Sequence, residues 1–157
     1  MPLLNYSTTI GAAKTVAEIQ QNLAEHGAKA ILIEYDGKGS IDALSFKVAT
    51  PYGELPFRLP IHPAAVLNVL KQQSRLKKIP CRFINPGQAN RIAWRIVKDW
   101  VAAQLAITET EMVRLEQVFL PYGITRNGQT IYEALVETKF KALTARSENK
   151  GESGAPV

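Results

Sequence analysis

The sequence predicts an α+β fold: an antiparallel meander of three or four strands packed by helices, followed by a helical C-terminal half. Three observations point to it. Residues 28–60 contain β-branched and aromatic runs separated by Asp36-Gly37-Lys38-Gly39 and by Pro51-Tyr52-Gly53. From Pro60 onward the apolar residues recur at helical spacing. A chain of 157 residues that is 46% hydrophobic can also bury a real core without disulfides, in keeping with its single cysteine, Cys81. One domain is expected over residues 1–145, with 146–157, which lacks core residues, as a disordered tail.

The elements follow in order. Thr15 and Glu18 have capping-box spacing, and Val16, Ile19 and Leu23 share a face, so a helix is expected over 16–26, stopped by Gly27. In the second strand Leu44, Phe46 and Val48 alternate against Ile41, Ala43, Ser45, Lys47 and Ala49. In the third, Leu55, Phe57 and Leu59 alternate against Pro56 and Arg58, giving one packed face and one wet face. Pro56 has no N–H to donate, which marks the third strand as an edge or as ending early. Residues 5–10 are a candidate fourth strand.

His62-Pro63 suits N-cap and N1 of a helix to about residue 74, with Val66, Leu67 and Leu70 inward. Residues 75–85 form a basic connector with a candidate short strand at 81–84. Asn85-Pro86 opens the longest helix, over about 86–107. Thr108 and Glu111 repeat the capping-box spacing, so either a break or a continuation fits there, with Met112, Leu115 and Phe119 inward and Pro121 as the stop. After a turn at Asn127-Gly128, Thr130 and Glu133 open a last helix running through residue 143.

The net charge of +5 is unevenly spread. Residues 61–100 carry eight Lys and Arg against Asp99 alone, whereas the segments on either side are each close to neutral. On a helix advancing 100° per residue, Arg91, Arg95, Lys98 and Ala102 lie within about 60° of one another and form a ridge. Ala89, Ile92, Ala93, Ile96, Trp100 and Ala103 collect opposite. Trp100 is therefore expected in the core, and Trp94 beside the ridge, either as a partly buried shoulder residue or as an aromatic surface that would stack on an unpaired base. Lys71, Arg75, Lys77, Lys78, Arg82, Arg91, Arg95 and Lys98 are the expected phosphate contacts of a nucleic acid, DNA or RNA. The same surface also fits an acidic protein partner, or plain solvation.

Other chemistries lack their residues. His26 and His62 have no metal-ligand spacing to each other or to Cys81, and each fits a helix end. Cys81 lies among cations but has no recognisable base or oxyanion site. Glu34, Asp36 and Asp42 bracket the first hairpin and read as turn carboxylates. With no phosphate-binding glycine loop and no nucleophile elbow, no cofactor, no metal and no catalysis are expected. No apolar run reaches the length of a membrane span or a signal peptide, so a cytoplasmic protein with no membrane partner is expected.

The order helix, three-stranded meander, helix over residues 16–74 is similar to the double-stranded-RNA-binding domain, which reads A-form RNA by shape and phosphate contacts. That family has a lysine-rich motif at the start of its second helix, where this chain has His62-Pro63-Ala64-Ala65-Val66. The segments TVAEIQ, GELPFRLP and AWRIVKDWVAAQLA followed by VFLPY resemble small uncharacterised proteins of bacterial viruses and prophages, over residues 5 to about 140. This resemblance brings no residue roles. It implies a compact, cofactor-free phage protein in a bacterial host cell, of a kind that includes nucleic-acid accessories and inhibitors of host defence such as anti-CRISPR proteins. The expected function is non-enzymatic nucleic-acid binding through the basic helix face, with a protein-binding anti-defence inhibitor as the alternative.

Overall fold

A computed structural model describes residues 1–145; the expected disordered tail lies outside the described residues. The order is α1 (Ala12–Glu25), β1 (Ala28–Tyr35), β2 (Ile41–Thr50), β3 (Gly53–Arg58), α2 (Pro63–Arg75), a 3-10 turn (Cys81–Phe83), α3 (Pro86–Glu109), α4 (Leu115–Val118), a second 3-10 turn (Leu120–Tyr122) and α5 (Ile131–Glu137). The strands form an antiparallel sheet in the order β1-β2-β3. This is the expected α+β fold with three strands and a helical C-terminal half.

The meander follows its alternation. Leu44, Phe46, Val48, Phe57 and Leu59 are buried on one face, with Ile31 and Ile33 of β1 packed against them. The first turn is set by Asp36, whose Oδ1 accepts the N–H groups of Lys38 at 2.8 Å and Ser40 at 3.2 Å, while Gly37 and Gly39 take positive φ. Ala30, Leu32, Ser45, Lys47, Pro56 and Arg58 share the other face, where Leu32 is 57% exposed. β3 is the sheet edge its proline predicts, and its outer side is partly closed: Ile124 donates its N–H to the Pro56 carbonyl at 2.9 Å.

Residues 5–10 are not a fourth strand. They form turns that strap α2 and α3 together. Gln88, nearly fully buried, donates through Nε2 to the carbonyls of Tyr6 and Thr8 at 2.9 and 3.0 Å, and Asn5 donates to Asp99 at 2.9 Å. The capping box expected at Thr15 is not formed either. α1 begins at Ala12, one turn earlier, and the buried Thr15 hydroxyl donates back to the Gly11 carbonyl at 3.3 Å. The ion pair between Glu18 and Arg95 of α3 takes the carboxylate that the box needs.

α3 is the centre of the helical layer. One side packs with α1 over the sheet and the other carries α2. Trp94 is wholly buried, so the expectation that it flanks an exposed ridge is corrected: the side of α3 that carries the ridge also contributes Trp94, Val97 and Val101 to the core. Trp100 lies at the margin of the core, edge-on to Phe119 at 5.6 Å and to Tyr122 at 5.3 Å. Phe119 in turn meets Phe46 edge-on at 5.3 Å and lies 6.2 Å from Phe57, so the C-terminal segment closes onto the sheet through aromatic rings.

Three further boundaries differ from expectation. α3 runs to Glu109 because the Thr108 and Thr110 hydroxyls bond back to the Leu105 and Ile107 carbonyls, which leaves no capping box and leaves Met112 71% exposed. Arg114 instead opens α4, its N–H donating to Gln117 at 2.8 Å. The Thr130–Glu133 capping box forms as expected, yet α5 ends at Glu137, where the N–H groups of Phe140 and Lys139 close back on the carbonyls of Leu135 and Val136.

His26 ties the end of α1 to the end of α3. Its Nδ1 lies 2.7 Å from the Asn22 carbonyl and its Nε2 lies 2.6 Å from Glu109, two acceptors that only the imidazolium can satisfy together. The Asn22 carbonyl and then the Glu109 carboxylate raise its pKa above the ordinary 6.5. The resulting stabilisation is complete below about pH 6.5, the unfolded value, and is lost as pH rises through the raised folded value. Thermal denaturation should therefore show stability falling over that interval, and His26→Gln should flatten the dependence. Phe119→Ala should cost about 3–5 kcal/mol in denaturant unfolding; a loss under about 1 kcal/mol would show that the C-terminal segment is not part of the core.

Candidate nucleic-acid interface

The nine residues expected at the interface separate into two groups. Trp94 is in the core, where no base can reach it. The ridge residues are engaged within the fold, Arg95 and Lys98 along the seam between α3 and α1. Arg95 donates to Glu18 at 2.7 Å, Arg91 donates through Nε to Gln88 at 3.1 Å, and Lys98 lies 3.8 Å from Asp99. Glu18 and Glu25 line the same shallow groove as Arg95 and Lys98, so α1 offsets the charge of the ridge.

The second group is Lys71, Arg75, Lys77, Lys78 and Arg82, brought together by the end of α2 and the following 3-10 turn. All five are exposed, and among the described residues none has a carboxylate within 4.0 Å. Local chemistry explains why: the sequence has no Asp or Glu between Glu54 and Asp99. Leu70 and Ile79 bracket Lys71, Arg75, Lys77 and Lys78 and are buried against Ala89 and Ile92 of α3, which fixes the backbone there and turns Lys71 and Arg75 outward.

The turn between these anchors closes α2 in a Schellman motif. The Lys78 N–H reaches back to the Gln73 carbonyl at 2.9 Å, and the Lys77 N–H to the Ser74 carbonyl at 2.9 Å. The residue after the C-cap Leu76 must adopt a left-handed conformation, and Lys77 does so at φ 56° where glycine is the usual occupant. Lys139 plays the same part after α5 at φ 54°, so a lysine in this position is a recurring solution of this chain. Arg75, Lys77 and Lys78 also complement the negative end of the α2 dipole, which eases their mutual repulsion.

The 3-10 turn stands where a short strand was expected. It carries an aromatic arrangement not foreseen from the sequence. Arg82 Cζ lies 4.9 Å from the centre of the Phe83 ring, and Tyr6 meets Phe83 edge-on at 5.4 Å and 88°. Tyr6 and Phe83 are 77 positions apart, and no periodicity links them; the only local signal is the adjacency of Arg82 and Phe83. Cys81 opens this turn and is exposed.

The remaining candidates are not assembled. Asp36 is committed to its turn, and among the described residues no group of three or more His, Cys, Asp or Glu is arranged to hold a metal. His62 occupies the N-cap position of α2 without a side-chain capping bond. No helix among the described residues is long and apolar enough to cross a membrane. The order of elements expected for a double-stranded-RNA-binding domain is present through α2, but here α3 rather than α2 joins α1 over the sheet, and α2 is displaced onto α3. Comparison of the chain with protein-family models, with curated proteins and with solved structures gives no match.

The two groups of cations should respond differently to mutation. Arg95→Ala leaves the carboxylate of Glu18 unpaired in a half-buried seam and should lower the melting temperature, whereas Arg75→Ala and Lys78→Ala should stay within about 0.5 kcal/mol of the parent. Lys77→Gly, which relieves a left-handed lysine, should stabilise the fold by about 1 kcal/mol in urea titration.

Proposed function

We propose that this protein is a non-enzymatic nucleic-acid-binding accessory protein of a phage or mobile element, acting in the host cytoplasm through Lys71, Arg75, Lys77, Lys78 and Arg82. One observation carries the reading: five exposed cations lie within twelve residues of chain, four of them between the buried Leu70 and Ile79 and Arg82 just beyond, and among the described residues no carboxylate lies within 4.0 Å of them. Like charges so placed repel one another and add nothing to folding. A polyanion removes that repulsion and releases its own counterions when each phosphate is contacted. The likeness of AWRIVKDWVAAQLA and VFLPY to small proteins of bacterial viruses supports the setting.

The ridge residues Arg91, Arg95 and Lys98 have a structural part in this reading. Binding of a labelled oligonucleotide followed by fluorescence anisotropy between about 50 and 200 mM salt should give a steep logarithmic salt dependence. Arg75→Ala with Lys78→Ala should weaken binding and reduce the slope by about two, while Arg91→Ala with Arg95→Ala should leave the slope unchanged. Absence of binding at about 50 mM salt would overturn the proposal.

A second reading, an anti-defence inhibitor that binds a host protein, is favoured by the uncovered sheet face around Leu32, Pro56 and Arg58. Capture of a host enzyme that needs no nucleic acid, and that survives the Arg75→Ala, Lys78→Ala change but not Leu32→Asp, is the outcome expected of it.

A further inference from the structure

We infer that the nucleic acid taken by this patch is single-stranded, and that a base stacks on the Arg82 guanidinium where it lies over Phe83; the inference rests on the nucleic-acid reading above. An unpaired base exposes a π-face that a duplex keeps hidden, and proteins that hold single strands offer it a planar group beside a cationic track. The patch has both. Lys71, Arg75, Lys77 and Lys78 supply the track. Arg82 supplies the plane: its side chain is exposed, and its Cζ lies over the Phe83 ring, 4.9 Å from the centroid.

The platform is held rather than merely possible. Tyr6 butts against the Phe83 ring at 88°, and Tyr6 is itself fixed by the hydrogen bond its carbonyl accepts from buried Gln88 at 2.9 Å. Fixing the ring before binding removes the ordering cost that a free arginine would meet on stacking. Leu76, the C-cap residue of α2, is 66% exposed and adds an apolar surface to the segment that carries the cations.

The shape of the patch also disfavours a duplex. A helix that enters a groove presents exposed residues along its length. Here α2 contributes only Lys71 and Arg75, and the other three cations sit on a left-handed turn and a 3-10 turn. Such a cluster fits a strand flexible enough to bend around one corner of the protein.

The test compares a single strand of about 20 nucleotides with a hairpin duplex of equal phosphate number, using the full chain. The expected result is at least about tenfold tighter binding of the single strand. Arg82→Lys keeps the charge and loses the plane; it should weaken single-strand binding about tenfold while leaving the salt slope and melting temperature unchanged. Phe83→Leu, checked for folding by circular dichroism, should act in the same direction. Equal or tighter duplex binding, or an Arg82→Lys protein with parental affinity and preference, overturns the single-strand inference and leaves the nucleic-acid reading intact. Failure of both oligonucleotides to bind removes that reading and the inference with it.

Discussion

The rest of the structure depends on the double burial of α3. A helix of 24 residues that packed on one side only would carry a broad polar face, and its cations would stand in solvent. This one must satisfy α1 and the sheet on one side and α2 on the other. Polar residues at its seams find partners there: Arg95 meets Glu18, and Gln88 holds the residues that precede α1. The same demand draws α2 away from the sheet and brings its C-terminal end, with the following turn, to the surface.

The sheet and several helix ends were legible because each rests on local chemistry. Alternation identified Leu44, Phe46, Val48, Phe57 and Leu59 as the inner face, and Asn85 caps α3 by accepting the Gln88 N–H at 2.7 Å, as its place before Pro86 implies. Trp100 packs at the margin of the core, as its place on the helix implies, whereas Trp94 was not legible. A helical projection finds a single apolar face, whereas a helix packed on two sides has two, and the choice between Trp94 and Trp100 then rests on neighbours remote in sequence. Thr15 and Glu18 mislead for the same reason: the spacing of a capping box is local, but the carboxylate is engaged by a residue 77 positions away.

The candidate site was half legible. Charge partition located the basic segment, because charge density along the chain survives folding wherever the segment is a surface connector anchored by few apolar residues. It could not separate Lys71, Arg75, Lys77, Lys78 and Arg82 from Arg91, Arg95 and Lys98, since the difference between the groups is whether a side-chain partner is present in space: Gln88 for Arg91, Glu18 for Arg95 and Asp99 for Lys98. Nor could it find Tyr6 beside Phe83, whose contact exists only because the N-terminal residues cross α2 and α3.

The division of cations also accounts for the charge of the whole protein. Nineteen Lys and Arg less the five of the patch leaves 14, the same as the number of Asp and Glu. The rest of the chain is formally neutral, and some of its charge is spent in ion pairs that tie helices together, as Arg95 with Glu18 and His26 with Glu109. A net charge distributed for solubility would be spread over many faces. Here the formal excess equals the complement of one corner of the molecule, part of which is built on buried Leu70 and Ile79. Concentrating the excess in one place costs repulsion in the free protein, and in the proposed nucleic-acid reading that cost is offset when a polyanion is bound.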